Sequence, residues 1–295
     1  MFKPILFLLG ALLLLVACNN KAADSGTNIT VSIPPQKYFI EQIAGDLFQV
    51  NVMLAPGSSP ADYEPTPRQV EALSQAKYYF YVGHLGFEKS WMKRFDKAAP
   101  GVEFISCSKG IDLLRGDVAH HHHEDDHGHD HGGTDPHIWT SPENVKTISR
   151  NIAATLSADF PEHATSFDEN LRLFIARIDT LDNYIRSSIT DTVAHSFMIF
   201  HPSLSYYARD YHLEQLSIEF EGKSPSTAHM KKMIDQAEEK NINTIFVQTQ
   251  FETTKANAIA KAIGAKVETV DPLSEDWLNE MYAITRKLEQ SFKAE

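Results

Sequence analysis

The sequence predicts an α/β protein of two lobes, each built on a parallel sheet, with one long helix between them. Three observations predict it. Short apolar strand patterns alternate with helical ones from Asn28 to Ser106, a rhythm that calls for crossover helices and therefore parallel strands. A run from about Phe167 to Ile189 repeats apolar residues at Leu171, Leu173, Phe174, Ile178, Leu181, Tyr184 and Ile185. That is helical spacing over more than about five turns. The strand–helix alternation then resumes at Ser196 and continues to the last helix.

The elements follow in order. Asn28 to Ile33 alternates and reads as a strand, stopped by Pro34-Pro35; Tyr38 to Ala44 reads as a helix and Phe48 to Leu54 as a second strand. Ala55 to Pro60 carries turn chemistry. Thr66 caps a helix over about Arg68 to Gln75, with Pro67 at its first position. Tyr78 to Val82 is a strand, Gly83-His84-Leu85-Gly86 a turn, Trp91 to Ala98 a helix and Val102 to Ser106 a strand. Ser141 and Pro142 start a helix with Val145, Ile148, Ile152 and Leu156 on one face, broken at Pro161. After the long helix come a strand at Ser196 to Phe200, a helix at Leu204 to Arg209 and a strand at Leu213 to Glu219. A helix capped by Ser224-Pro225-Ser226 and reaching about Lys240 follows, with a strand at Thr244 to Gln248. Last are a helix at Thr253 to Ile263, a strand at Lys266 to Val270 and a helix at Trp277 to Phe292. The expected division is a leader over 1–18, a tether over 19–27, an N-terminal lobe over 28–140 holding a His-rich loop at 119–133, a helical region over 141–190 and a C-terminal lobe over 191–295.

Met1 to Cys18 reads as an export signal. Lys3 supplies the positive start, and Ile5 to Val16 is apolar but too short to span a bilayer comfortably. Leu15-Val16-Ala17-Cys18 is similar to a bacterial lipobox, in which the cysteine is lipidated. This implies an extracytoplasmic protein held to a membrane by acyl chains at Cys18. Cys107 is the one other cysteine; at the end of an apolar run it reads as a buried small side chain. The net charge of −12 disfavours nucleic acid as a partner and suits a cation.

The chemistry concentrates between His120 and Pro142. The first half holds His120, His121, His122, His123, His127, His129 and His131, interleaved with Glu124, Asp125, Asp126 and Asp130. Imidazole and carboxylate coordinate borderline divalent metals such as Zn²⁺, and the near-absence of apolar residues argues for a solvated loop. A merely solubilising loop is the alternative. The second half, Asp135-Pro136-His137-Ile138-Trp139, sets one histidine among apolar residues. His137, His201 and Asp271 all stand at element junctions, the last two directly after strands. In open α/β sheets, ligands collect beyond the carboxyl ends of strands. Two imidazoles and one carboxylate suit Zn²⁺ or Mn²⁺; taken singly, each residue reads equally as structural.

The chain resembles the periplasmic metal-binding component of zinc/manganese ABC importers, the cluster A-I or cluster 9 solute-binding proteins. The carriers are Pro60-Ala61-Asp62-Tyr63-Glu64-Pro65-Thr66-Pro67, the Asp135 to Trp139 segment, Phe200-His201-Pro202 with Tyr207-Ala208-Arg209, Glu219 to Ser226, and Val270-Asp271-Pro272-Leu273. The resemblance covers nearly the whole chain after the leader. It implies two lobes joined by a long rigid helix, a metal in the interlobe cleft, and His137, His201 and Asp271 as ligands. A His-rich acidic loop and a histidine at position 201 resemble the zinc-preferring members; Mn²⁺ is the alternative metal. The implied role is a monomeric receptor that captures Zn²⁺ and delivers it to an ABC permease. Two other roles compete. One is a zinc hydrolase with water on an open site, against which no His-Glu-x-x-His helix or general base is evident. The other is a metal-storage or adhesin lipoprotein.

One departure stands out. Where the family usually carries a histidine after the proline, this chain has Ala61. His84, in a glycine-flanked turn after the third strand, is the expected substitute, with Asp62 and Glu64 as rivals and a surface turn histidine as the plain alternative. Binding is expected to weaken below about pH 6, since ligation needs neutral imidazole.

Overall fold

The computed structural model describes residues 27–115, 133–189, 196–219 and 226–293. Cys18, the tether and the seven loop histidines from His120 to His131 lie outside the described residues.

Two four-stranded parallel sheets form the framework. The first holds β1 (Asn28–Val31), β2 (Gln49–Val52), β3 (Tyr78–Tyr81) and β4 (Glu103–Ser106) in the order β2-β1-β3-β4. The second holds β5 (Ser196–Ile199), β6 (Glu214–Ser217), β7 (Thr244–Gln248) and β8 (Lys266–Val270) in the order β6-β5-β7-β8. The two sheets therefore share one topology, although their sequences do not repeat. In each, the first strand lies between the second and third, so the chain reverses winding direction beside it. Ligands bind at such a switch point, off the carboxyl ends of the strands.

The helices are α1 (Pro34–Ala44), α2 (Pro67–Ser74), α3 (Gly86–Ala98), α4 (Pro142–Asp159), α5 (Ala164–Ile189), α6 (Ser205–Asp210), α7 (Thr227–Glu239), α8 (Thr254–Ile263) and α9 (Trp277–Lys293). Expected caps are in place: Thr66, Ser141 and Ser226 accept from the backbone N–H of Gln69, Asn144 and His229. The structure departs from expectation at α3, which begins at Gly86 and not near Trp91. The buried carboxylate of Glu88 accepts from the N–H groups of Val82 (2.7 Å), Gly83 (2.7 Å) and Leu85 (3.2 Å). It thereby satisfies main-chain donors of the turn and starts the helix early. Gly86 has its own reason. A Cβ there would lie 1.9 Å from the carbonyl oxygen of Ala61, so only glycine lets the two backbones approach.

The long helix α5 packs Phe167, Phe174, Ile178, Leu181, Ile185 and Ile189 inward. Leu173 of the same helix is half exposed, because it lies off that stripe. One apolar cluster runs from the first sheet through α4, α5 and α9 into the second lobe, with Phe246 and Val270 as members. A smaller one lies between the second sheet and its helices α7 and α8. The lobes are thus welded by shared core as well as by α5. Among the described residues, no helix is long and apolar enough to cross a membrane.

Candidate metal centre

His137 precedes a single 3-10 turn, Ile138–Thr140. Thr140 donates both its backbone N–H (3.1 Å) and its hydroxyl (2.9 Å) to the His137 carbonyl, which closes the turn. His201 stands two residues beyond β5. The buried side chain of Gln248, at the end of β7, accepts from the His201 N–H at 3.3 Å and donates to its carbonyl at 2.5 Å. One amide side chain satisfies both main-chain groups of that junction.

The two rings meet across the interface of the lobes. Their Nε2 atoms are 3.2 Å apart, with the ring planes at 73°. Behind each ring is a carboxylate. Asp135 Oδ1 lies 2.8 Å from His137 Nδ1 and also accepts from the His137 N–H at 2.8 Å. Glu219 Oε2 lies 2.6 Å from His201 Nδ1. An ionised carboxylate only accepts, so each Nδ1 carries the proton and each neutral ring turns a bare Nε2 lone pair toward the other. Two lone pairs at this separation repel unless a cation lies between them. Zinc–nitrogen bonds of about 2.0–2.1 Å meeting at a tetrahedral ion span about 3.3 Å between nitrogens. The separation of the pair therefore matches one edge of such a tetrahedron.

The electrostatics agree with that role. Burial lowers the pKa of His201, against the opposing hydrogen bond from Glu219, so its neutral form is favoured. Burial alone would raise Asp135, but its electrostatic and hydrogen-bond interactions with His137 outweigh it and hold the carboxyl below its ordinary value. Phe251 stacks on His201 with ring centroids 5.1 Å apart and planes 19° apart, and Trp139 lies against His137 at 5.3 Å. These aromatic rings cover one face of each imidazole.

Glu219 reaches His201 through strand register. Ile199 of β5 pairs with Ser217 of β6, and the parallel ladder continues with the Glu219 N–H on the Phe200 carbonyl at 2.8 Å. His201 and Glu219, each two residues past its strand, come out side by side. Sequence reading passed over Asp135, Glu219 and Gln248. Asp135 could have been found from its spacing of two residues before His137. The other two needed the strand register.

The remaining expected ligands are not gathered with the pair. Asp271 follows β8 directly, but its Oδ1 accepts from Gln250 Nε2 at 2.8 Å and from the Leu273 N–H at 3.3 Å, within its own lobe. His84 lies in the turn between β3 and α3, partly buried. Burial lowers its pKa, with the nearby Lys89 charge adding to the effect. Asp62 and Glu64 are exposed. Among the described residues, no group of three or more His, Cys, Asp or Glu side chains is disposed to hold a metal ion. The expected set of His137, His201, Asp271 and His84 is thus only half assembled. Asp271 is drawn into its own turn, and His84 is held where Glu88 anchors its neighbours.

The model of the ZnuA family, described as zinc-uptake complex component A, periplasmic, matches residues 29–291. The chain belongs to this family. It is 29% identical over 284 residues to the zinc-binding lipoprotein AdcA of Streptococcus pneumoniae (strain ATCC BAA-255 / R6), covering 92% of this chain and 55% of AdcA. The chain thus spans about half the length of that relative. It is 28% identical over 281 residues to the high-affinity zinc uptake system protein ZnuA of Bacillus subtilis (strain 168), covering 91% of this chain and 88% of that protein. Among solved structures, a crystal structure of ZnuA superposes with a TM-score of 0.83 at 37% identity, over 91% of this chain and all of that one. A zinc-bound ZnuA deletion mutant gives 0.83 at 38% identity, over 92% of this chain and 99% of that one. The family is one of transport binding proteins, not of enzymes, and the two-lobed fold with its long helix is that of these structures.

Proposed function

We propose that this chain captures Zn²⁺ outside the cytoplasm and hands it to an ABC import permease. The observation that carries the reading is the facing pair of Nε2 atoms on His137 and His201, each ring fixed by a carboxylate on its far nitrogen. Such carboxylate–histidine pairs orient imidazoles toward zinc and raise their basicity. The likeness to a zinc-bound ZnuA mutant and to a protein named zinc-binding lipoprotein supports zinc as the cargo, with Mn²⁺ the less favoured ion. Asp271 and His84 complete the proposed ligand set. Asp271 comes from the C-terminal lobe, where its Oδ1 accepts from Gln250 and the Leu273 N–H. His84 comes from the turn two residues before Gly86, on which the backbone of Ala61 rests. The loop histidines His120, His121, His122, His123, His127, His129 and His131 act as weak auxiliary sites that raise the zinc concentration near the cleft. Cys18 carries the lipid anchor, and the receptor works as a monomer. The boundaries 28–140, 141–190 and 191–295 are proposed for the N-terminal lobe, the helical region and the C-terminal lobe.

The test is His201→Ala, read by competition against a chromophoric zinc chelator. Loss of one of few ligands is expected to weaken the tight site by far more than about tenfold. Unchanged tight binding would remove the pair from the site.

A further inference from the structure

Trp139 is wholly buried, two residues after His137, and its indole N–H is spent on the opposite lobe. Nε1 donates to the carbonyl of Pro272 at 2.8 Å. Pro272 directly follows Asp271. In return, Trp277 Nε1 donates to the backbone carbonyl of Trp139, also at 2.8 Å. Trp277 is in turn packed edge-on against Phe39 of α1 and Phe174 of α5, with ring centroids 5.3 and 6.5 Å away. A continuous chain of contacts runs from the long helix through Trp277 and Trp139 to the turn that carries Asp271.

Both ends of this chain are stiff. On one side, the 3-10 turn closed by Thr140 fixes Trp139 relative to His137. On the other, the Ser274 N–H donates to the Asp271 carbonyl at 2.9 Å and the Leu273 N–H to Asp271 Oδ1 at 3.3 Å. Pro272 thus sits inside a closed turn. Loss of a buried hydrogen bond of this kind leaves a desolvated carbonyl unpaired. More consequential is the geometry: metal binding tolerates ligand displacements of only a fraction of an ångström, and residues that orient ligands typically matter by about 10–100-fold.

We propose that Trp139 is a positioning residue, which sets the distance between His137 of one lobe and Asp271 of the other by holding the Pro272 carbonyl. The inference rests on the reading of His137 and Asp271 as ligands. Trp139 does not touch the ion; it acts through the turn that follows β8. The indole thereby adds a directed hydrogen bond to the shared core that joins the lobes, at the turn that carries Asp271.

The experiment is a double-mutant cycle of Trp139→Phe and Asp271→Asn in the full mature chain, with zinc affinity read by chelator competition at one pH and salt concentration. Trp139→Phe is expected to weaken binding by about tenfold or more in the parent, and by less than about twofold once Asp271 is Asn, because a positioning residue has nothing left to position. The same loss in both backgrounds would mean a general structural role and overturn the proposal, as would binding by Trp139→Phe within about twofold of the parent. An Asp271→Asn chain that binds as the parent does would instead overturn the ligand reading itself, and the proposal with it. Should Trp139→Phe fail to fold, β-(3-benzothienyl)alanine at position 139 keeps the bicyclic shape and removes only the donor, and the same outcomes apply.

Discussion

His137 and His201 stand 64 residues apart in sequence, yet their Nε2 atoms face each other at 3.2 Å across the two lobes. Neither ring is free to turn. The Asp135 and Glu219 carboxylates hold both Nδ1–H groups, so the lone pairs have one direction to point. If the pair binds the ion as proposed, this orientation spares the site part of the ordering cost of binding.

Glu219 is therefore expected to matter through the ring it orients. Glu219→Ala frees the His201 ring, and zinc affinity is expected to fall by about 10–100-fold. Glu219→Gln keeps an acceptor and is expected to lose less. Affinities from isothermal titration, with circular dichroism to establish folding, check the ranking. Equal affinity in all three proteins would remove Glu219 from the design of the site.

The vacancy left by Ala61 yields a competition between two residues. His84→Ala is expected to lower zinc affinity and to remove one imidazole from the count given by X-ray absorption. If both stay as in the parent while Glu64→Gln weakens binding, a carboxylate fills the position instead. The cationic Lys89 beside His84 adds a second expectation: Lys89→Met strengthens binding if His84 is a ligand and leaves it unchanged if it is not.

Glu88 provides a test by pH. Burial raises its carboxyl above the ordinary value of 4.5, against the hydrogen bonds from Ser32, Val82, Gly83 and Leu85. A carboxyl whose folded pKa exceeds its unfolded one contributes its stability when protonated. That contribution is complete below 4.5 and is lost as pH climbs through the raised folded value. Glu88→Gln does not titrate. The stability of the parent relative to the variant, from urea unfolding of the metal-free proteins, is expected to decline as pH rises from about 4.5. A flat or rising difference would mean that the four hydrogen bonds outweigh burial.

The segment His120 to His131 lies between two points that the fold ties together. Arg115 and Thr134 form an antiparallel bridge, and the Asp135 N–H donates to the Leu114 carbonyl at 2.9 Å. Deleting that segment is expected to remove weak zinc sites and to shift the melting temperature of the metal-free protein by less than about 3 °C, corresponding to under ~1 kcal/mol. A larger loss in a calorimetric scan would give the segment a role in holding the lobe.

By itself the sequence determined the architecture. Apolar periodicity of about two and about 3.6 residues separates strands from helices wherever the run is long enough, and the positions of α5, β5 to β8 and the caps Thr66, Ser141 and Ser226 follow from residues next to one another in the chain. It also pointed to His201, because a histidine directly after a strand in a parallel sheet stands where ligands gather, and to His137 as a lone histidine at the junction after the His-rich segment. Only the tertiary structure decided what stands behind those rings. Glu219 meets His201 because β5 and β6 pair with Ile199 opposite Ser217, and Trp139 meets Pro272 because two lobes close on each other. Register and lobe contact are non-local: His201 and Glu219 are 18 residues apart and Trp139 and Pro272 are 133 apart, and no local pattern of spacing encodes either meeting. The surroundings of the other two expected ligands are equally a matter of tertiary structure: Gln250 and the Leu273 N–H bond Asp271, and Glu88 anchors the backbone on both sides of His84.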